Sequence, residues 1–275
     1  MKFLRAQPPI ILLCLAVIFA LIVCAVFASQ IAPFQIDETD VRNRLQPPIF
    51  FGGDLRNPLG TDSLGRDMLS LVLRGIQISM TIAAIGTIGG ALLGSALGFV
   101  AAWIGGWIDN AIGIAIDFQA TIPNLILALG LLAALPSASF TIFVIIMIVY
   151  GWEQYARLAR AIALSAKAQP YVQAQQILGA SAARIITFSI LPNGVAVLLV
   201  NMSINFPKTI MLESTLSFLG IGIQPPNTSL GVLIGQGRDY LYNAPWVVLV
   251  PGFVILIATV CISLVGDWLR DLAGE

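Results

Sequence analysis

Six stretches of this 275-residue chain are almost continuously apolar, at residues 10–28, 76–103, 108–135, 140–158, 190–211 and 246–265. Each is long enough to cross a hydrocarbon core of about 30 Å at about 1.5 Å per residue. The pattern predicts an all-α polytopic membrane protein with six transmembrane helices, both of whose ends lie on one side. The first stretch follows Met1-Lys2-Phe3-Leu4-Arg5, and Val26-Phe27-Ala28 has the small residue of a signal cleavage site. At about nineteen residues the run exceeds the roughly 7–15 of a signal's apolar region, so an uncleaved first helix is expected.

The intervening polar stretches differ in character. Residues 29–75 are rich in Pro, Gly, Asp and Arg, residues 160–189 are basic, and residues 212–245 are Gly- and Pro-rich with few charges. Placing the N-terminus inside puts Lys2, Arg5, Arg157, Arg160, Lys167, Arg184 and Arg270 on the inner side. Arg42, Arg44, Arg56, Arg66, Arg74 and Arg238 then lie outside, a near balance that barely separates the two orientations. The short basic N-terminus favours a cytoplasmic start. Gly86, Gly90, Gly94 and Gly98 recur every fourth residue. On a helix they form a smooth strip, either for close approach of another backbone or as the lining of a substrate path.

Composition agrees with the pattern and removes several chemistries. The chain is 58% hydrophobic and 10% charged, with a mean hydropathy of +0.92. Soluble domains are about 45–50% apolar and about 25% charged. There is no histidine, which excludes a Ser-His-Asp triad and an H-E-x-x-H zinc site. Cys14, Cys24 and Cys261 lie in separate apolar runs and read as buried small hydrophobes. Zero net charge gives no case for nucleic acid. No P-loop is present: only Lys208 is followed by a hydroxyl residue, Thr209, and Pro207 precedes it. No bound cofactor is expected, and energy for transport would have to come from another polypeptide.

The stretch after the fourth apolar segment carries the most information. Tyr171-Val172-Gln173-Ala174-Gln175-Gln176-Ile177-Leu178 reads as a short helix ending in a turn at Gly179-Ala180. Ser181 is a possible N-cap for a second piece containing Arg184, and Pro192-Asn193 opens the next span. Local features alone also allow an ordinary interfacial loop. As a whole, however, the stretch resembles the EAA loop of ABC importer permeases. Gly179, Gly-Ala-Ser at 179–181 and Ile-Leu-Pro-Asn at 190–193 are similar to the dipeptide/oligopeptide/nickel permease family. Gln173 replaces the family's usual Glu, Gln175 and Gln176 its Ala and Arg, and Ser189 its frequent His.

Two further segments resemble the C-type, or second, permease of that family. One is Asn57-Pro58-Leu59-Gly60-Thr61-Asp62-Ser63-Leu64-Gly65-Arg66-Asp67-Met68. The other runs from Leu212-Glu213-Ser214-Thr215 through Gly220-Ile221-Gly222-Ile223-Gln224-Pro225-Pro226 to Gly266-Asp267-Trp268. With Tyr155-Ala156-Arg157-Leu158, the likeness covers nearly all of the chain after residue 57, with Leu230 where Trp is frequent. It implies a type I ABC importer permease fold in the bacterial cytoplasmic (inner) membrane, with both termini cytoplasmic. Residues 1–75 would be an N-terminal helix plus extracytoplasmic loop. Residues 76–275 would form the five-helix transmembrane domain, with a coupling loop at about 160–189. It also implies a homologous second permease, two cytoplasmic ATPase subunits that use ATP and Mg²⁺, and an extracytoplasmic solute-binding protein. Short peptides are the implied cargo, with nickel and other small solutes carried by relatives. The implied coupling residues are Gln173, Ala174, Gly179, Ala180, Ser181, Arg184, Pro192 and Asn193. The chain would be a non-catalytic translocation subunit surrounded by membrane lipid.

Two sets of charges remain. Asp62 and Arg66 form an i,i+4 pair if Thr61 or Asp62 caps a short helix, with Leu64, Met68, Leu71 and Val72 as an apolar stripe at the membrane surface. Two aspartates are few for a calcium cage. Asp117, Lys208 and Glu213 fall in or near apolar spans and are candidate pathway or intramembrane charges. Depth counting places Lys208 near the outer face, either snorkelling or entering a pathway mouth. The competing functional class is a secondary transporter or channel without ATPases, which predicts inverted repeats and broken mid-membrane helices. The sequence shows neither clearly.

Overall fold

A computed structural model describes residues 9–134 and 140–274, so the basic N-terminal segment and Leu135 lie outside the described residues. The helices that organise the rest are α1 (Pro9–Val26), α2 (Met68–Ile104), α3 (Gly106–Thr121) and α4 (Asn124–Ala133). They continue with α5 (Phe140–Lys167), α6 (Pro170–Ile177), α7 (Ala182–Phe218), α8 (Leu230–Gly237) and α9 (Trp246–Gly274). Five of them, α1, α2, α5, α7 and α9, are long and apolar enough to cross a membrane. The third expected span is not one straight helix. It is the pair α3 and α4, bent by 98°, because the backbone turns extended at Ile122 and Pro123, and a residue before proline is driven out of the helical region.

The seam between α2 and α5 is the backbone of the fold. A Cβ at Gly94 would overlap the Trp152 carbonyl oxygen, and one at Gly98 the Ala156 carbonyl oxygen. Gly90 faces Gly151 itself, with a Cβ there 3.3 Å from the Gly151 carbonyl carbon. The four-residue glycine strip is therefore a contact of one helix on another, the small-residue approach that takes the place of the hydrophobic effect between helices in lipid. α1 packs on α9 through Ile11, Cys14, Cys261 and Val265, and all three cysteines are free thiols. Its other face presents Leu13 and Phe19 outward, as lipid contact requires.

The long polar stretch after α1 folds back over the end of α2 and differs from its expected form. Residues 62–66 make no helix. Asp62 closes a turn by accepting from the Leu64 and Arg66 amides (2.9 and 2.8 Å) and from the Arg66 guanidinium. The true N-cap is Asp67, which accepts from the Ser70 amide at 2.8 Å, so α2 begins at Met68 and the expected boundary at residue 75 falls inside it. Met68, Leu71 and Val72 are buried beneath the loop against Leu230, Leu233, Ala244 and Val247 rather than lying on a membrane surface. Both aspartates are thus consumed as caps, and no metal-binding acidic cluster exists among the described residues.

α5 continues past Arg160 to Lys167, so the basic loop is shorter than its charges suggested. α7 runs from Ala182 through a π turn at Ile186–Ile190 into Leu191–Phe218. Pro192 cannot donate to the carbonyl four residues back and its ring crowds that carbonyl, and widening the preceding turn relieves the clash.

Candidate functional site

α6 forms a knob beyond the ends of α2 and α5. Pro170 starts it at a position that needs no N–H, and Gly179, at φ +78°, stops it. The Ala180 amide donates to the Gln175 carbonyl at 3.0 Å and the Gly179 amide to the Gln176 carbonyl at 3.0 Å. These two bonds are a Schellman cap, which requires a left-handed residue where glycine stands. Ser181 then caps the start of α7, its hydroxyl accepting from the Arg184 amide at 3.4 Å. The expected helix–glycine–helix form is present.

One side of the knob is anchored and the other is bare. Val172 is fully buried among Phe99 of α2, Ala159 and Ala163 of α5, and Ile185, Ile190 and Leu198 of α7. Lys167 fixes the neighbouring corner by donating to the Ala102 and Trp103 carbonyls (3.3 and 2.9 Å), the unpaired C-terminal groups of α2. On the far side Ile177 is 86% exposed and Leu178 84%, with Phe188 nearby in sequence also exposed. The Ser189 hydroxyl bonds the Gln175 side chain at 2.9 Å, so two of the departures from the family pattern meet each other. Asn193 donates to the Ser189 carbonyl at 2.8 Å, Gln173 donates to the Ala168 carbonyl, and Pro192 stands just after the π turn, in the first turn of Leu191–Phe218. Ala174 and Gly179 are exposed, and a Cβ on Gly179 would meet nothing within 4 Å of this chain.

The three candidate intramembrane charges do not come together. Glu213 is fully buried, accepting from Ser79 of α2 at 2.8 Å and from Ser217 and Ser214 of its own helix. Ser79 in turn accepts from the Leu230 amide at 3.2 Å, so Glu213 ties α2, α7 and α8 into one knot. Asp117 is exposed on α3. Lys208 is exposed and lines a cavity of about 620 Å³ at the α3–α4 break, with Ala120 to Asn124, Glu153, Gln154 and Arg157. The Thr87 hydroxyl bonds Thr209 at 3.3 Å, which sets Lys208 level with the middle of α2 rather than near its outer end.

Glu153 is absent from the expected intramembrane charges; it pairs at 3.3 Å with Arg157, a residue expected on the inner side. Gln119 is missing as well. It donates to the Val149 and Tyr150 carbonyls (2.9 and 3.1 Å) and accepts from the Trp152 indole at 2.7 Å, holding α3 to α5 beside the break. Arg160 and Asp109 form a second clasp between the same helices at 2.6 Å. The signal was available: Glu153 is an acid in the run 140–158, no less anomalous than Asp117.

A model described as the binding-protein-dependent transport system inner membrane component matches residues 94–274. Another, for the N-terminal transmembrane domain of oligopeptide transport permease C, matches residues 8–48. The dipeptide transport system permease protein of Haemophilus influenzae is 36% identical, covering 94% of this chain and 88% of that one. The di/tripeptide transport system permease protein of Pseudomonas aeruginosa is 34% identical over 91% and 83%. The oligopeptide transport system permease protein of Mycobacterium tuberculosis is 32% identical over 98% and 91%. Among solved structures, a chain of the MetNI methionine ABC transporter in an inward-facing conformation superposes with a TM-score of 0.61. It shares 18% identity, with coverage of 76% of this chain and 98% of that one, a likeness of fold.

Proposed function

Because this chain belongs to the family of binding-protein-dependent transport system inner membrane components, we propose that it is a permease subunit of an ATP-driven importer of short peptides, coupled to its ATPases through the α6 knob. It sits in the bacterial inner membrane with the α6 end in the cytoplasm and the loop over α2 outside. Its partners are a homologous permease, two cytoplasmic ATPase subunits and an extracytoplasmic solute-binding protein. ATP and Mg²⁺ belong to the ATPases, and this chain contributes the path and the lever.

The observation that carries the coupling role is the two-sided character of the knob. Exposed Ile177 and Leu178 stand on a rigid Schellman-capped turn, while Val172 on the opposite side is packed between α2, α5 and α7. Apolar side chains held out in water at a cytoplasmic surface suit a groove on a partner protein. When the ATPases close, a displacement of the knob passes through Val172 to three spanning helices at once. Packed cores respond to such shifts by switching between discrete arrangements, here inward- and outward-facing.

The broken α3–α4 span is a feature expected of secondary transporters, yet family membership and the absence of an inverted repeat in the sequence favour the ATP-driven reading. Gly179→Val tests it. A β-branched residue at φ +78° is strained by roughly 1 kcal/mol or more, and its side chain would project from the face offered to the ATPase. The variant should insert normally in the membrane but co-purify with less ATPase and lose uptake. Wild-type uptake by Gly179→Val would contradict the docking role.

A further inference from the structure

We propose that the cavity at the α3–α4 break is a binding site for a carboxylate of the translocated peptide, with Lys208 as its cation. This rests on the importer reading above and adds to it the chemistry of the path.

Depth is the first observation. Thr209 bonds Thr87, which lies 19 residues from Met68 and 17 from Ile104 along α2, so Lys208 stands roughly 26–28 Å from either end of that helix. Glu153, on the same cavity wall, is at the middle of α5, roughly 20 Å from each end. A lysine at mid-membrane height is retained only where it meets an anion or water.

Lys208 has no anion to itself: Glu153 lies within its electrostatic reach but forms its ion pair with Arg157. Among the described residues it has no ion pair within 4.0 Å, and its ammonium donates to the Asn205 side-chain oxygen at a long 3.3 Å. The carboxylate nearest to it in the cavity, Glu153, is engaged by Arg157 one turn along α5. That pair cancels, and the cavity keeps one net positive charge. A lone exposed cation facing about 620 Å³ of space calls for a negative group in that space.

The helix break supplies the rest of the surface. α4, ten residues long, starts at Asn124 with no side chain capping its first N–H groups, and Pro123 and Asn124 are part of the cavity wall. Those amides favour an anion. At the facing end of α3 the Phe118 and Gln119 carbonyls already accept from the Thr121 hydroxyl and the Ile122 amide (2.7 and 3.1 Å), and the Ala120 and Thr121 carbonyls are left for peptide N–H groups. A volume of about 620 Å³ lies within the range of sites that hold small ligands, about 300–1,000 Å³. A short peptide has both a carboxylate for Lys208 and amides for the split helix.

The test uses the complete importer in proteoliposomes, in a parent chain whose Cys14, Cys24 and Cys261 are replaced by Ala, with labelled trialanine as the probe. Lys208→Cys should lower uptake on the order of tenfold, the loss of one charge-assisted contact. Treatment with 2-aminoethyl methanethiosulfonate, which returns a positive charge, should restore uptake, and the 2-sulfonatoethyl reagent should not. Parental uptake by the untreated variant, or equal rescue by both reagents, would overturn the site. So would a fall in uptake matched by loss of the second permease on co-purification, which would make Lys208 a subunit contact. A parent complex that takes up no trialanine, or takes it up without ATP, would instead contradict the importer reading itself.

Discussion

Glu213 shows how a charge in an apolar span is kept by packing rather than by a pathway. Its carboxylate is fully buried, and serine hydroxyls from two helices converge on it. The two carboxyl oxygens can take several donors, which matches this surrounding. Removing it leaves the Ser79 and Ser217 hydroxyls without their acceptor and opens a void between α2, α7 and α8. Glu213→Ala should therefore destabilise the chain by about 2–5 kcal/mol, read as a lower unfolding midpoint in detergent and less chain recovered from membranes. Glu213→Gln keeps the shape and one acceptor oxygen and should lose much less. The residue scale was only partly legible in the sequence. The anomaly of Glu213 was visible and Ser217 is a local partner one turn on, but Ser79 lies 134 residues away on α2 and no local pattern names it. Lys208 lies deeper than the apolar run 190–211 implies, because α7 continues past that run to Phe218, ten residues beyond Lys208 rather than three.

The elements themselves were written more plainly. The four-residue glycine period fixes one face of α2, and that face is where α5 lies. Gly94→Ala would set a methyl group on the Trp152 carbonyl oxygen, a backbone atom that cannot swing aside. The expected cost is about 1–3 kcal/mol or more. Gly113→Ala on α3, where an added Cβ meets nothing within 4 Å, is the control and should leave thermal stability unchanged or slightly raised. Equal behaviour of the two would contradict the seam. Two element ends escaped sequence analysis for different reasons. α2 starts early because its first turns, Met68 to Leu73, are mostly apolar and pack under the polar loop, while Arg74 and Gly75 part them from the apolar run at 76. The break in the third span has a local cause, Pro123, flanked by Gln119, Thr121 and Asn124 but masked by the length of the mainly apolar stretch 108–135.

At the scale of the whole molecule, hydropathy marked five straight crossings and the bent α3–α4 pair, and motif spacing marked the family. Sidedness was not marked, since nearly equal basic charge lies at the two ends. Cysteines placed at Asp54 and Gln176, both exposed at opposite ends of the bundle, should separate the orientations in right-side-out vesicles. Asp54→Cys should react with a membrane-impermeant maleimide and Gln176→Cys only after permeabilisation; the reverse result would place α6 outside and remove it from any cytoplasmic partner. Faces such as exposed Ile177 and Leu178 make sense only with other chains, and a single sequence does not contain those partners. The decisive measurement is uptake of labelled short peptides into proteoliposomes holding this chain and its partner permease, with and without the two ATPase subunits. Peptide should accumulate only with the ATPases, the binding protein and ATP all present. Accumulation at the same rate without the ATPases would show that the chain works as an autonomous transporter.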